Sequence, residues 1–151
     1  MTPLVSVLMT AFNRELYIAE AIQSVLDSTF KDFELIIVDD CSSDDTNKIA
    51  RQFESKDPRV KVYLNEKNLG DYPNRNRAIS YATGEYIMFV DSDDKILIDG
   101  IENCINTMKI TELQCHSSVM IDWCHSFIIT VFILIVVPFI HCINVYGIST
   151  G

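Results

Sequence analysis

The chain has 151 residues, 48% of them hydrophobic, with five Gly, four Pro and a formal net charge of −9. That length builds one domain with a substantial core, and a normal apolar fraction with sparse Gly and Pro excludes global disorder and low complexity. Twelve basic residues against 21 acidic ones argue against nucleic acid as a partner, because phosphate backbones call for the opposite sign.

The N-terminus has no basic stretch before an apolar one, so no secretory leader is read there. Residues 5–9 (VSVLM) predict a strand. After it, Leu16, Ala19, Ile22, Val25 and Leu26 fall on one stripe at helical spacing. Residues 35–38 (LIIV) predict a second strand, and 42–45 (SSDD) offer N-caps and first-turn acids for a helix through Ile49 and Phe53. Residues 60–64 (VKVYL) predict a third strand. Pro73 is placed to open a third helix, running through Ala78 and Ile79 toward Gly84 as its C-cap. Residues 86–90 (YIMFV) predict a fourth strand, and 100–108 continue in a helical pattern. Apolar runs without alternation suit parallel strands covered on both faces. The order βαβαβαβ therefore predicts right-handed crossovers and a three-layer, Rossmann-like α/β architecture with a mostly parallel sheet.

The chain changes character near residues 108–114. Residues 113–151 carry one charged side chain, Asp122, while every Lys and Arg lies at or before Lys109. This divides the chain into 1–108, a ligand-binding α/β region, and 109–151, an apolar tail. Three readings of the tail stay open. Residues 127–140 (FIITVFILIVVPFI), extended to 145, make a membrane-contacting segment, although 14 uncharged residues fall short of the roughly 20 that span a bilayer. Alternatively the tail supplies buried strands or a helix to the domain, or it is out-of-frame sequence that follows a lost reading frame. The five Cys have irregular spacing, four of them after residue 100, and make no disulfide framework. A reducing, cytoplasmic setting is expected, at the cytoplasmic face of the membrane if the tail touches lipid.

Ligands of open α/β sheets gather beyond the carboxyl ends of the strands, and here each strand runs into a polar cluster. These are 10–14 (TAFNR), 39–43 (DDCSS), 68–71 (NLGD) followed by Arg75 and Arg77, and 91–94 (DSDD). Asp91 and Asp93, one residue apart at a strand end, offer hard oxygen ligands to a divalent cation, which in turn bridges diphosphate oxygens. The plainer reading is an acidic turn. Asp39 and Asp40 either cap a helix or accept hydrogen bonds from a base or a ribose. Phe12 is either core or a stacking platform, and Arg75 and Arg77 are either solvated or aimed at a phosphate. Each signal is weak alone, and their shared position strengthens them.

With these blocks assembled, residues 4–108 resemble the family 2 glycosyltransferases, which have the GT-A fold. The resemblance rests on 5–13 (VSVLMTAFN), 33–44 (FELIIVDDCSSD), 68–70 (NLG), Arg75-Asn76 and 84–94 (GEYIMFVDSDD), in order and at fitting spacing. It implies metal-dependent, inverting transfer of a sugar from a nucleotide-diphosphate-sugar donor, with Mn2+ or Mg2+, to a saccharide or lipid-linked acceptor, as in cell-envelope polysaccharide synthesis. By that pattern Thr10, Phe12, Asn13, Asp39, Asp40, Arg75 and Asp91 bind the nucleotide sugar, and Asp91 and Asp93 form the Asp-x-Asp metal motif. Phe12 stands where Tyr is frequent in the family, and Cys41 where Gly is frequent. No catalytic base is nominated: the donor half is present, and the acceptor half is not recognised. Alternative functions are a non-catalytic nucleotide-binding fragment and a membrane-associated structural protein. A nucleotidyltransferase would want a Gly-rich phosphate loop after the first strand, and 10–14 contains no Gly.

Overall fold

The computed structural model of the chain describes residues 2–111 and 134–136, with the backbone alone for 108–111 and 134–136. Among these residues the elements follow the order β1 (Val5–Ala11), α1 (Ile18–Leu26), β2 (Phe33–Asp39), α2 (Thr46–Glu54), β3 (Val60–Leu64), α3 (Asp71–Tyr81), β4 (Tyr86–Phe89), α4 (Gly100–Thr111) and β5 (Leu134–Val136). The strands form one sheet in the order β3-β2-β1-β4-β5. The first four pair in parallel, with Val5 opposite Phe33 and Tyr86 and Leu35 opposite Val60, whereas β5 runs antiparallel to β4.

Strand alternation explains the layers. Val5, Val7, Met9, Leu35, Ile37, Val62 and Met88 point to one face, where they pack with Ile18, Ala21, Ile22 and Val25 of α1, Ala50 of α2, and Ile101 and Ile105 of α4. Leu8, Ile36, Val38, Ile87 and Phe89 point to the other face and meet Ala78 of α3. All seven residues of β2 are buried, as a strand covered on both sides must be. The chain order accounts for which helix lies where. From β1 through β3 the chain moves one way across the sheet, then returns past β1 to β4, and right-handed crossovers put the returning helix on the opposite face. That reversal makes the gap between β1 and β4 a topological switch point.

Local details differ from the expected ones in three places. The α1 stripe is Ile18, Ala21, Ile22 and Val25, while Leu16 is 77% exposed. Leu16 belongs to a turn in which the N–H groups of Tyr17 and Ile18 both donate to the Arg14 carbonyl. Helix α3 opens at Asp71 after Gly70, whose φ of 87° favours glycine, so Pro73 is its third residue. Gly84 is not the C-cap, which is Ala82. It lies instead against β1, where an added Cβ would come within 2.7 Å of the Ser6 nitrogen.

Helix α4 runs across the 108/109 boundary, and residues 134–136 of the tail add a strand to the sheet. Apart from those three residues, the 127–145 segment lies outside the described residues, as does most of the sequence that the out-of-frame reading concerns. Among the described residues no helix is long and apolar enough to cross a membrane.

Candidate functional site

The four polar clusters meet around one open cleft of about 530 Å³ at the switch point. The end of β1 supplies Thr10, Ala11, Phe12 and Arg14, the end of β2 supplies Asp40, the loop before α3 supplies Asn68 and Gly70, and the first turns of α3 supply Asp71, Asn74 and Arg75. Asp91, Ser92 and Asp93 follow β4 and close the ring. Parallel strands all end at the same edge, so clusters distant in sequence become neighbours.

Two turns brace the first wall. Asn13 and Cys41 both take left-handed backbone conformations, with φ of 53° and 63°. The Asn13 N–H donates to Ser42 Oγ at 2.9 Å, and Asn13 Oδ1 accepts from the Ser43 N–H at 2.9 Å. Next to them the Arg14 N–H donates to Thr46 Oγ1 at 2.7 Å, the Glu15 N–H to Asp44 Oδ2 at 3.1 Å, and the Asp45 N–H to Glu15 Oε2 at 3.0 Å. These bonds stitch the β1–α1 and β2–α2 loops together.

The paired acids of β2 divide their work. The buried Asp39 carboxylate accepts from the Ser42 hydroxyl and N–H, and so holds the β2–α2 turn. Burial pushes the Asp39 carboxyl above its ordinary range, against the opposing pull of Ser42 and Asn47. The Asp40 carboxylate reaches under the loop before α3. Its Oδ1 accepts from Asn65 Nδ2 at 2.7 Å and the Leu69 N–H at 2.8 Å, and its Oδ2 from the Gly70 N–H at 2.8 Å. The Asn65 amide also donates to Asn74 Oδ1 at 2.8 Å, and Asn74 Nδ2 donates to the Val38 carbonyl at 3.1 Å. One carboxylate thus fixes the third wall to the second strand.

Of the residues singled out in the sequence, Thr10, Phe12, Asp40, Arg75, Asp91 and Asp93 line the cleft. Asn13 and Asp39 turn their side chains into the flanking turns, and Arg77 lies over a separate hollow with Asn65, Glu66, Lys67 and Leu69. Phe12 is 44% exposed, so its ring is not core. Arg14, Asp71 and Asn74 line the cleft as well, beyond the residues expected from the sequence. Arg14 ends the first polar cluster and Asp71 the third, which is the signal that marks them.

Two ion pairs cross the cleft. Arg75 Nη2 lies 2.8 Å from Asp91 Oδ1 while its Nε lies 2.9 Å from Asp71 Oδ1, and its guanidinium sits 5.4 Å from the centre of the Phe89 ring. Burial disfavours the Arg75 charge, but Asp91 and Asp71 outweigh it and hold the group above its ordinary pKa. Arg14 Nε lies 3.3 Å from Asp93 Oδ2. Beside this tip Asp94 is pushed up by burial and then by the charges of Asp91 and Asp93.

The lining holds four carboxylates against two guanidiniums, so a diphosphate meets net repulsion unless a cation accompanies it. No group of three or more His, Cys, Asp or Glu side chains forms a ready metal cage among the described residues. Asp91 and Asp93, each about half exposed, supply hard oxygen donors. That set fits Mg2+ or Mn2+ in the manner where one or two carboxylates share the ion with substrate phosphates and water. It does not fit a permanently resident metal.

The family profile described as Glycosyl transferase family 2 matches residues 6–122. The chain is 43% identical over 106 residues to the putative teichuronic acid biosynthesis glycosyltransferase TuaG of Bacillus subtilis, a match covering 70% of this chain and 42% of that protein. Among solved structures, S. aureus TarS 1-349 in complex with UDP superposes with a TM-score of 0.67 at 34% identity, over 74% of this chain and 33% of that one. The mannosyltransferase PcManGT from Pyrobaculum calidifontis, solved with GDP-Man and Mn2+, shares the fold with a TM-score of 0.66 at 22% identity, over 72% and 33%. The fold is the GT-A α/β arrangement, and the chain spans less than half the length of these relatives.

Proposed function

The chain belongs to glycosyl transferase family 2, and from that membership we propose that its strand-end cleft binds the nucleotide-diphosphate-sugar donor of a metal-dependent, inverting sugar transfer. The observation that carries the reading is the convergence of Phe12, Asp40, Arg75, Asp91 and Asp93 on one cleft at the switch point. The exposed Phe12 ring stacks on the base, while Thr10 and Asp40 face the base and ribose. Asn13 and Asp39 act through the turns they brace. Arg75 faces the phosphates, and Asp91 and Asp93 hold the cation. When bound, that Mn2+ or Mg2+ offsets negative charge on the departing diphosphate. The acceptor hydroxyl forms a bond to C1 as the bond from C1 to the diphosphate breaks, and its proton passes to a carboxylate base. No residue of this chain is assigned as that base.

Uracil is the base to test first, since TarS, 34% identical, was solved with UDP. The acceptor class is a saccharide or lipid-linked polymer precursor of the cell envelope, handled at the cytoplasmic face of the membrane; the name of the TuaG relative supports only that the product is a polymer such as teichuronic acid. A binding-only module is the second reading, because no carboxylate of the cleft is assigned as the base. Release of UDP from a UDP-sugar in the presence of acceptor separates the two.

Titration calorimetry of the 151-residue chain with UDP in Mn2+ tests the donor site. Asp93→Asn is expected to weaken binding by about tenfold or more, equal to about 1.4 kcal/mol, without changing the melting temperature appreciably, because the side chain is on a surface loop. Equal affinity in the two proteins removes Asp93 as a ligand.

A further inference from the structure

The two ion pairs of the cleft are not equivalent. Arg75 is held by two carboxylates and an aromatic ring, and it is 27% exposed. Among the described residues Arg14 has one charged partner, Asp93, at 3.3 Å, with the side chains 43% and 47% exposed. Its remaining contacts are neutral: Nη1 donates to the Phe12 carbonyl at 3.3 Å and to the Asn13 carbonyl at 3.2 Å. Such exposed, singly bonded pairs are weak, so a divalent cation competes effectively for Asp93. The loss leaves the guanidinium tethered to two carbonyls at the cleft wall, with its charge unneutralised beside the place a diphosphate would occupy.

We propose that Arg14 couples cation binding to nucleotide binding, serving as the counter-ion of Asp93 in the empty cleft and passing to the diphosphate once a divalent cation has taken Asp93. The inference rests on the donor-site reading above. By this exchange each ligand lowers the cost of the other: the cation frees the guanidinium, and the diphosphate gives it a new partner with which it forms charge-assisted hydrogen bonds. Linkage requires the effect to be the same in both directions, so Mn2+ raises UDP affinity by the factor by which UDP raises Mn2+ affinity.

Electron paramagnetic resonance of free Mn2+ and calorimetry with UDP, with Mn2+–UDP association in solution fitted separately, measure that factor on the full chain. In Arg14→Gln, Mn2+ alone is expected to bind roughly threefold tighter and UDP in Mn2+ roughly tenfold weaker, with UDP binding in the absence of Mn2+ unchanged, so the coupling factor falls by roughly tenfold. A residue that only supported the fold would not improve Mn2+ binding when removed. Arg14→Lys retains the charge and is expected to recover most of the UDP affinity, which guards against misfolding of the glutamine variant. Unchanged Mn2+ affinity and coupling in Arg14→Gln overturns the inference while leaving the donor site standing. A parent chain that binds neither Mn2+ nor UDP overturns both.

Discussion

Glu34 and Asp39 are two buried acids on one strand whose environments act in opposite directions. Glu34 Oε1 accepts from Ser6 Oγ at 2.7 Å, the Thr83 N–H at 2.8 Å and Thr83 Oγ1 at 2.7 Å, and Oε2 meets Lys61 Nζ at 2.7 Å. Burial pushes this carboxyl up, but Lys61, Ser6 and Thr83 outweigh it and hold it below its ordinary range. Asp39 is raised by burial that its partners do not offset. The signs follow by linkage. The stabilisation from Glu34 is complete above its unfolded pKa of about 4.5 and is lost as pH falls through the lower folded value. The contribution of Asp39 favours folding most below its unfolded pKa of about 3.8 and fades as pH rises through the higher folded one. Glu34→Gln is expected to cost about 1–3 kcal/mol at pH 7 and to flatten the acid limb of stability, read from urea unfolding at pH 7 and at pH 3. An equally steep acid limb in the variant would assign that limb to other groups. In the sequence the strand-end clusters were legible because apolar runs point to their own ends. The division of labour between Asp39 and Asp40 was not, since it depends on the left-handed turn at Cys41, which costs a non-glycine residue roughly 1–2 kcal/mol. Nor were the Arg14 and Arg75 pairings, whose partners come from another loop. Glu34 does carry a readable mark: it stands opposite Ser6 in the neighbouring strand, each of the two polar residues flanked by apolar ones.

Among the elements, the strands were the most legible, because residues buried on both faces leave a continuous apolar signature. The third strand matched at both ends, 60–64. It is also the edge of the sheet, and Glu54 Oε1 accepts from the Val62 N–H at 2.8 Å, which covers a donor that an edge would otherwise expose. Helix starts were less legible. Helix α1 begins late because the Arg14 carbonyl ties the preceding turn, and α3 begins early because Gly70 supplies the conformation and Asp71 the first-turn acid. Gly84 misled for a physical reason. A glycine after a helical run suggests a C-cap, whereas its actual task is close approach to β1, where its N–H donates to Ser6 Oγ at 2.8 Å. That contact joins residues 78 apart in sequence, beyond any local pattern. Gly84→Ala would place a methyl 2.7 Å from the Ser6 nitrogen and 2.9 Å from the Val5 carbonyl carbon. The expected cost is about 1–3 kcal/mol, visible as a lower melting temperature, and because Glu34 shares Ser6 and Thr83 with this loop, Gly84→Ala and Glu34→Gln are expected to combine non-additively. A Gly84→Ala variant with unchanged stability would mean that the β1–β4 approach tolerates the methyl.

At the scale of the molecule, chain order and charge together place the chemistry. The sheet order sets β1 and β4 side by side with connections leaving in opposite directions, and an open cleft results at their carboxyl ends. The chain's net charge of −9 and the acidic lining of that cleft oppose an anionic donor that arrives without a cation. The most direct measurement is a thermal-shift series on the 151-residue chain with UDP, Mn2+ and both together. At 100 times the dissociation constant a ligand adds about 2.7 kcal/mol, which is roughly 5–15 °C for a domain of this size. The expected result is a shift of that order with UDP and Mn2+ together and little with either alone. No shift with UDP, GDP, CDP or dTDP, with or without Mn2+, would contradict the assignment of the cleft as a donor site.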